Sequence, residues 1–428
     1  MATGPRVSCA LISLVGLSAC SDRLIYGAWR ARGDDEGDAR VADAATSSDG
    51  SVEGLDGALA HEGGSSDADL ADGKVPDAAP LAFCAPERDG FSLSDRGTLR
   101  CSSLAEARFE RGLCACEDLQ SGGLLRSDAF DSELGPYVAP GLAGGSLAMN
   151  GAFYPAAAEL GGSLVVGGDA GAPITGDLQV GESLISAGPL DGPYAVEVGG
   201  DVQVLSDLRV SSLTLGGSLH VGASSDVEIT QGAPAFSRDA APVIAPCDCT
   251  QLVDVGAEID ARARDNDNTQ IGLDAAGGLS AIDAARELIL PCGRYYVDEV
   301  YAAQPLTLTI TGNVELYVRG SLATDLAGSL AIELVPGAQL DLFLGQGVSL
   351  LNDATIGDRS APTRTRVFVA PETTLSFGGA LTLAGLVYAP GSSWSSSGRA
   401  QLFGAFTLGG VSSGPLELHQ DLALSRCD

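Results

Sequence analysis

The chain has 428 residues, 56 acidic side chains against 24 basic ones, a formal net charge of −32, 57 glycines and only 5% aromatic residues. That charge leaves no basic surface able to neutralise phosphates, so nucleic acid is not an expected partner, and an anionic membrane would repel the body of the protein. Abundant glycine with few aromatics argues against a conventional compact enzyme and for an extended structure with many tight turns.

The first element is an apolar run from Val7 to Leu17, preceded by Arg6 and closed by Leu17-Ser18-Ala19-Cys20. It is too short to cross a hydrocarbon core of about 30 Å as a helix, yet it suits the apolar region of a cleavable export signal. The closing residues resemble a bacterial lipobox, which implies a signal peptide over 1–19 and lipidation of Cys20. Acyl chains on Cys20 would hold the mature amino terminus in a membrane. Ser21 and Asp22 follow, and with serine rather than aspartate second, outer-membrane placement, facing the periplasm or the surface, is the expectation. Residues 20–82, rich in Asp, Gly, Ala and Ser, read as a disordered acidic tether, because they hold too little apolar surface to offset the entropy of ordering.

Eight cysteines remain after Cys9 and Cys20: Cys84, Cys101, Cys114, Cys116, Cys247, Cys249, Cys292 and Cys427. An even number fits disulfides in an oxidising compartment, although eight cysteines allow 105 pairings. Read as half of a zinc site, the Cys114/Cys116 and Cys247/Cys249 pairs lack a matching CxxC partner; no cofactor or metal is expected. The cysteines from Cys84 to Cys116 suggest a small disulfide-tied cap over residues 83–135, with the later four stapling the rest.

From residue 136 to 428 short apolar alternations recur behind glycines: Gly144-Gly145-Ser146-Leu147, Gly161-Gly162-Ser163-Leu164, Gly176-Asp177-Leu178, Gly199-Gly200-Asp201-Val202 and Gly216-Gly217-Ser218-Leu219. The interval from Gly176 to Gly199 is the longest and contains the insertion-like segment from Gly188 to Pro193. Each unit has apolar positions at period two, so it reads as a strand with one buried face, and stacking of successive coils buries that face. The expected fold is all-β, a right-handed parallel β-helix; an antiparallel sandwich of hairpins is the alternative. Expected inward residues include Leu164, Val166, Val202, Val204, Leu219, Val221, Val314, Leu316 and Leu342.

A helical insertion is expected at about 250–270, capped by Thr250, carrying Leu252, Val255 and Ile259 at helical spacing and ended by Asp265-Asn266-Asp267-Asn268. That acid-amide cluster lacks the glycine and glutamate of a calcium loop, which favours turn and capping chemistry. Strands resume after Leu290-Pro291-Cys292-Gly293 and continue through Leu402-Phe403-Gly404-Ala405.

Residues 265–273, 290–296, Gly385-Leu386-Val387-Tyr388-Ala389-Pro390, Gly404-Ala405 and His419-Gln420-Asp421 together resemble an uncharacterised family of exported or surface-anchored bacterial and archaeal β-helix domains. The resemblance covers roughly 140–428 and implies a placement, not a reaction; Gln420 stands where that family has tyrosine. The periodicity alone is also similar to that of the bactofilins. His419 and Asp421 lie two apart and should point the same way in a strand, which suggests a bonded pair closing the last coil. His220 reads as a solvated outward residue, His61 as part of the tether, and Trp394 as part of a Ser-rich turn. The function expected is a structural or binding role at the envelope, with the membrane through the lipid and an envelope polysaccharide or surface protein as partners; a polysaccharide lyase or hydrolase is the alternative. Ice binding through a Thr ladder has one match, Thr307 to Thr311.

Overall fold

The computed structural model describes residues 84, 91–93, 97–99, 110–243 and 245–425, all within one compact unit spanning residues 75–428. The expected signal segment and tether, with His61, and the residues Cys20, Cys101 and Cys427 lie outside the described residues.

Nearly every strand pairs in parallel with strands one coil away, which makes the body a parallel β-helix with three sheets. Sheet A stacks Leu306–Ile310 on Arg286–Leu290 and continues up the solenoid. Sheet B begins at Gly293–Val297 and sheet C at Val300–Ala302. Leucine, valine and isoleucine at alternate positions fill the interior, because successive side chains in a strand point to opposite faces. All nine expected inward residues, from Leu164 to Leu342, are buried.

Chain order differs from coil order. The coils from residue 286 to residue 421 end at Leu416–Asp421, and the next rung is residues 125–130. Leu113–Ala115 likewise sits between Ala400–Leu408 and Leu147–Met149. The chain therefore enters the solenoid at its middle, winds outward to Phe236–Ser237, returns along the outside of sheet B and rebuilds the other half back to the entry coil. Residues 113–130 are thus a central coil, not the terminal cap expected from their cysteines.

The return segment is fastened covalently. Cys114 pairs with Cys247, Cys116 with Cys249, and Cys84 with Cys292, so the bridges join the early cysteines to the later ones instead of closing each group on itself. The two-residue spacing is the same on both partners, so the twin bridges fasten neighbouring points of the return segment to the central coil.

Among the described residues the one α-helix is Val255–Arg262, whose N-cap is Asp254, accepting from the Ala257 amide, in place of the expected Thr250. The Thr250 carbonyl instead accepts from the Tyr388 hydroxyl. Val255 and Ile259 press onto an outward column of Tyr296, Tyr317, Phe343, Phe368 and Tyr388, in which the Tyr317 and Phe343 rings stack at 4.6 Å. Beside it runs a second outward column, Arg294, Glu315, Asp341 and Arg366, one residue per coil. Glu315 and Asp341 are fully buried; Arg366 grips Asp341 through Nε at 2.5 Å and Nη2 at 3.1 Å, and Arg294 Nε lies 3.2 Å from Glu315.

The Asp-Asn cluster closes the solenoid end. The Asn268 amide donates to the Tyr296 carbonyl at 2.6 Å and its oxygen accepts from the Tyr296 amide at 2.9 Å. Asp267 accepts from the Arg294 amide at 2.8 Å, while its own amide donates to the Arg294 carbonyl. These side chains take the place of a missing rung at the edge strand Gly293–Val297, where unpaired backbone groups would otherwise invite further strand pairing.

Candidate groove on sheet A

The outward residues of sheet A form a row that no contiguous stretch of sequence contains. In coil order it runs Gln401, Glu417, Arg126, Glu159, Gln179, Glu197 and Thr214, each in register with the next. From Glu417 onward the row lines a groove of about 820 Å³. Its far margin is a column of corner glycines: a Cβ at Gly181 would fall 2.4 Å from the Gly161 carbonyl oxygen, and one at Gly199 would fall 2.1 Å from that of Gly181. Only glycine lets adjacent coils approach so closely, which leaves this margin bare backbone.

The same corner corrects the repeat frame. Leu184 is in register with both Leu164 and Val202, so Gly181-Glu182-Ser183 is the counterpart of Gly161-Gly162-Ser163 and Gly199-Gly200-Asp201. Gly176 belongs to a different corner, ahead of Leu178–Val180. Residues 190–192 open the strand Leu190–Val198 in register with residues 208–210, and the segment expected as an insertion adds one residue there, a bulge between Gly192 and Ala195.

At the central coil the loop of residues 131–145 rises over the groove and contributes Tyr137 and Ala139 to its wall. The His419 ring packs in a triangle with Tyr137 and Phe403, whose centroids are 4.1 and 4.6 Å from it and 5.7 Å from each other. Nδ1 of His419 is 2.6 Å from Asp128, whose other oxygen accepts from the Tyr137 hydroxyl at 2.7 Å. Burial, reinforced by the Asp128 carboxylate, drives the Tyr137 phenol well above its ordinary range, so it stays a proton donor.

The expected pairing of His419 with Asp421 does not occur. Both residues leave the last strand toward the loop, and each finds its own partner: His419 takes Asp128, while Asp421 accepts the Ser132 amide at 3.0 Å. Between them Gln420 accepts from the Gly145 and Ser146 amides. The His-Gln-Asp segment is the hook that fixes loop 131–145. Burial raises the Asp421 carboxyl above its usual range, against the pull of its amide bonds.

The groove carboxylates are engaged mostly sideways along the row. Glu159 holds Arg126 at 2.8 Å. Burial pushes Glu417 up, but the bonds from Gln401 and Arg399 together outweigh it and hold the carboxyl below its usual range. Glu197 is exposed between the neutral Gln179 and Thr214.

His220 lies outward on sheet B, where both Ser237 Oγ and Asp239 Oδ1 approach the same ring nitrogen, Nδ1, at 3.0 and 2.8 Å. A hydrolytic triad needs the hydroxyl and the carboxylate on opposite nitrogens, so this cluster is not one. Trp394, expected in a turn, points inward from the strand Ser393–Ser396 and is buried against Phe377. Thr307 has Ala331 and then Thr355 as its successors, so threonines do not form an unbroken ladder. Among the described residues no group of three or more His, Cys, Asp or Glu side chains could hold a metal ion, and no helix is long and apolar enough to cross a membrane.

Fold and groove together define a disulfide-fastened parallel β-helix with a channel on one sheet along which a row of polar side chains runs. Residues 237–427 match the profile of an uncharacterised family described as Domain of unknown function (DUF7305). No curated protein and no solved structure matches the chain. The matched region holds the return segment and the coils up to Glu417 and His419, whereas Arg126, Glu159 and Glu197 lie outside it; the groove straddles that boundary.

Proposed function

We propose that the chain is a lipid-anchored envelope protein that binds an extended polysaccharide along the sheet A groove without cleaving it. The supporting observation is the in-register row from Glu417 to Thr214 along a channel of about 820 Å³. Carboxylates, amides and hydroxyls alternating at rung spacing supply repeated hydrogen-bonding groups for sugar hydroxyls, and Tyr137 adds an aromatic wall at one end. Glycoside hydrolysis needs one carboxyl held protonated beside one held ionised. Glu417 is held ionised, which suits a fixed hydrogen-bond acceptor. Affinity electrophoresis against a polysaccharide panel should show retardation by at least one polymer, abolished when Gln179→Trp fills the channel. Retardation untouched by Gln179→Trp would move binding elsewhere.

The Asp128–His419 pair beside Glu417 favours the second reading, a polysaccharide lyase or hydrolase. Release of reducing or unsaturated sugars by the wild-type chain, lost in His419→Gln, would replace the binding reading with this one.

The envelope placement rests on the Leu17-Ser18-Ala19-Cys20 segment and agrees with disulfides that need an oxidising compartment. The Cys20→Ala chain is expected to escape lipidation and to leave the membrane fraction; its continued sedimentation with membranes would contradict the anchor.

A further inference from the structure

We infer that the sugar chain this groove takes is a β-1,4-linked hexosamine polymer carrying free amines, an inference that rests on the glycan-binding reading above. The row places a carboxylate on every second rung: Glu417, then Arg126, then Glu159, then Gln179, then Glu197, then Thr214. With strands about 4.8 Å apart, carboxylates recur about every 9–10 Å. In an extended β-1,4-linked pyranose chain successive sugars turn over by half a turn, and each advances by close to one rung. The same edge of the sugar therefore returns on every second residue, in step with the carboxylates. A chain lying along the groove would present its 2-amino groups to Glu417, Glu159 and Glu197 in turn, with charge-assisted hydrogen bonds at each.

The charge balance of the lining selects among glycans. Asp128, Glu159, Glu197 and Glu417 face the channel, with Arg126 as its guanidinium and His419 as its imidazole. Arg126 and Glu159 offset each other along the row, and Asp128, Glu197 and Glu417 leave the rest of the lining acidic against His419 alone. A uronate polymer would bring carboxylates against carboxylates, and a fully N-acetylated chain would offer no cation. A basic peptide shares the positive charge but not the fit. Extended peptides bind sheets by adding a strand at an edge, and here the groove lies on the face of a ladder whose backbone groups are spent on rungs.

The test is calorimetric titration of the full chain at about pH 6, where ordinary carboxylates are ionised, with four probes: β-1,4-glucosamine hexamer, its N-acetylated counterpart, an oligogalacturonate of similar length, and hexalysine. The glucosamine hexamer should bind about tenfold or more tightly than the other three, with affinity falling as salt rises. Glu197→Gln, at an exposed position outside the core, should weaken it about two- to fivefold. Equal or tighter binding of the acetylated hexamer, or of the oligogalacturonate, lost in Gln179→Trp, would overturn the amine preference and leave the groove reading standing. Hexalysine binding as tightly as the glucosamine hexamer would reduce the effect to charge capture and overturn it too. If none of the three glycans binds, the amine preference falls, and the polysaccharide panel with Gln179→Trp decides the groove reading separately.

Discussion

Leu316→Asp is expected to unfold the carboxyl-terminal half of the solenoid at physiological temperature. Leu316 points into the interior, 1% exposed, with Tyr295 on the rung before it and Leu342 on the rung after. An aspartate there would have apolar neighbours above and below. Burying a charge without a partner, on top of the lost leucine packing, places the cost at about 4–5 kcal/mol or more. Because each coil is stable only against its neighbours, damage on one rung spreads to those beside it. Thermal unfolding followed by far-UV circular dichroism reads the effect, with Ala331→Asp as control. Ala331 is outward on sheet A, so that control should shift stability by no more than about 0.5 kcal/mol. Comparable melting of the two variants would mean that the inward and outward assignments are wrong.

The second large effect is expected at the buried charge column of sheet B. Arg366→Leu removes the guanidinium that grips Asp341 and leaves two fully buried carboxylates, Asp341 and Glu315, on adjacent rungs. Removing one member of a buried ion pair costs about 3–5 kcal/mol, whereas replacing both by apolar groups is often close to neutral. Arg366→Leu with Asp341→Leu should therefore recover much of what the single change loses. Urea denaturation of the two variants beside the wild type measures this. A single variant within about 1 kcal/mol of wild type would show that the column contributes little.

Much of the architecture is legible in the residues themselves. Period-two apolar positions such as Leu164/Val166 and Val202/Val204 identify inward faces, because a strand has only two sides. What the sequence hides is the order of the coils. Nothing local in Leu113–Ala115 or Leu119–Phe130 says that they stack between residue 421 and residue 147, since parallel rungs carry no mark of their neighbour. The groove is hidden for the same reason: Glu417, Arg126 and Glu159 become adjacent only once the entry coil is placed. The cysteines misled by proximity along the chain, when the return segment brings Cys247 and Cys249 onto the outward side of Leu113–Ala115. His419 and Asp421 misled in the same way, and Tyr137 gave no signal, because its role depends on a loop folding over a strand from the far end of the chain. The Asp265–Asn268 cluster could be read as capping chemistry, but not as the lid on a solenoid end.

The most direct test of the groove is a crystal structure of the chain soaked with β-1,4-glucosamine hexamer. The account predicts sugar density along sheet A from Glu417 to Thr214, rising one sugar per rung, with amines at Glu159 and Glu197. Sugar density on another face, or an empty channel in crystals saturated with the hexamer, would contradict it.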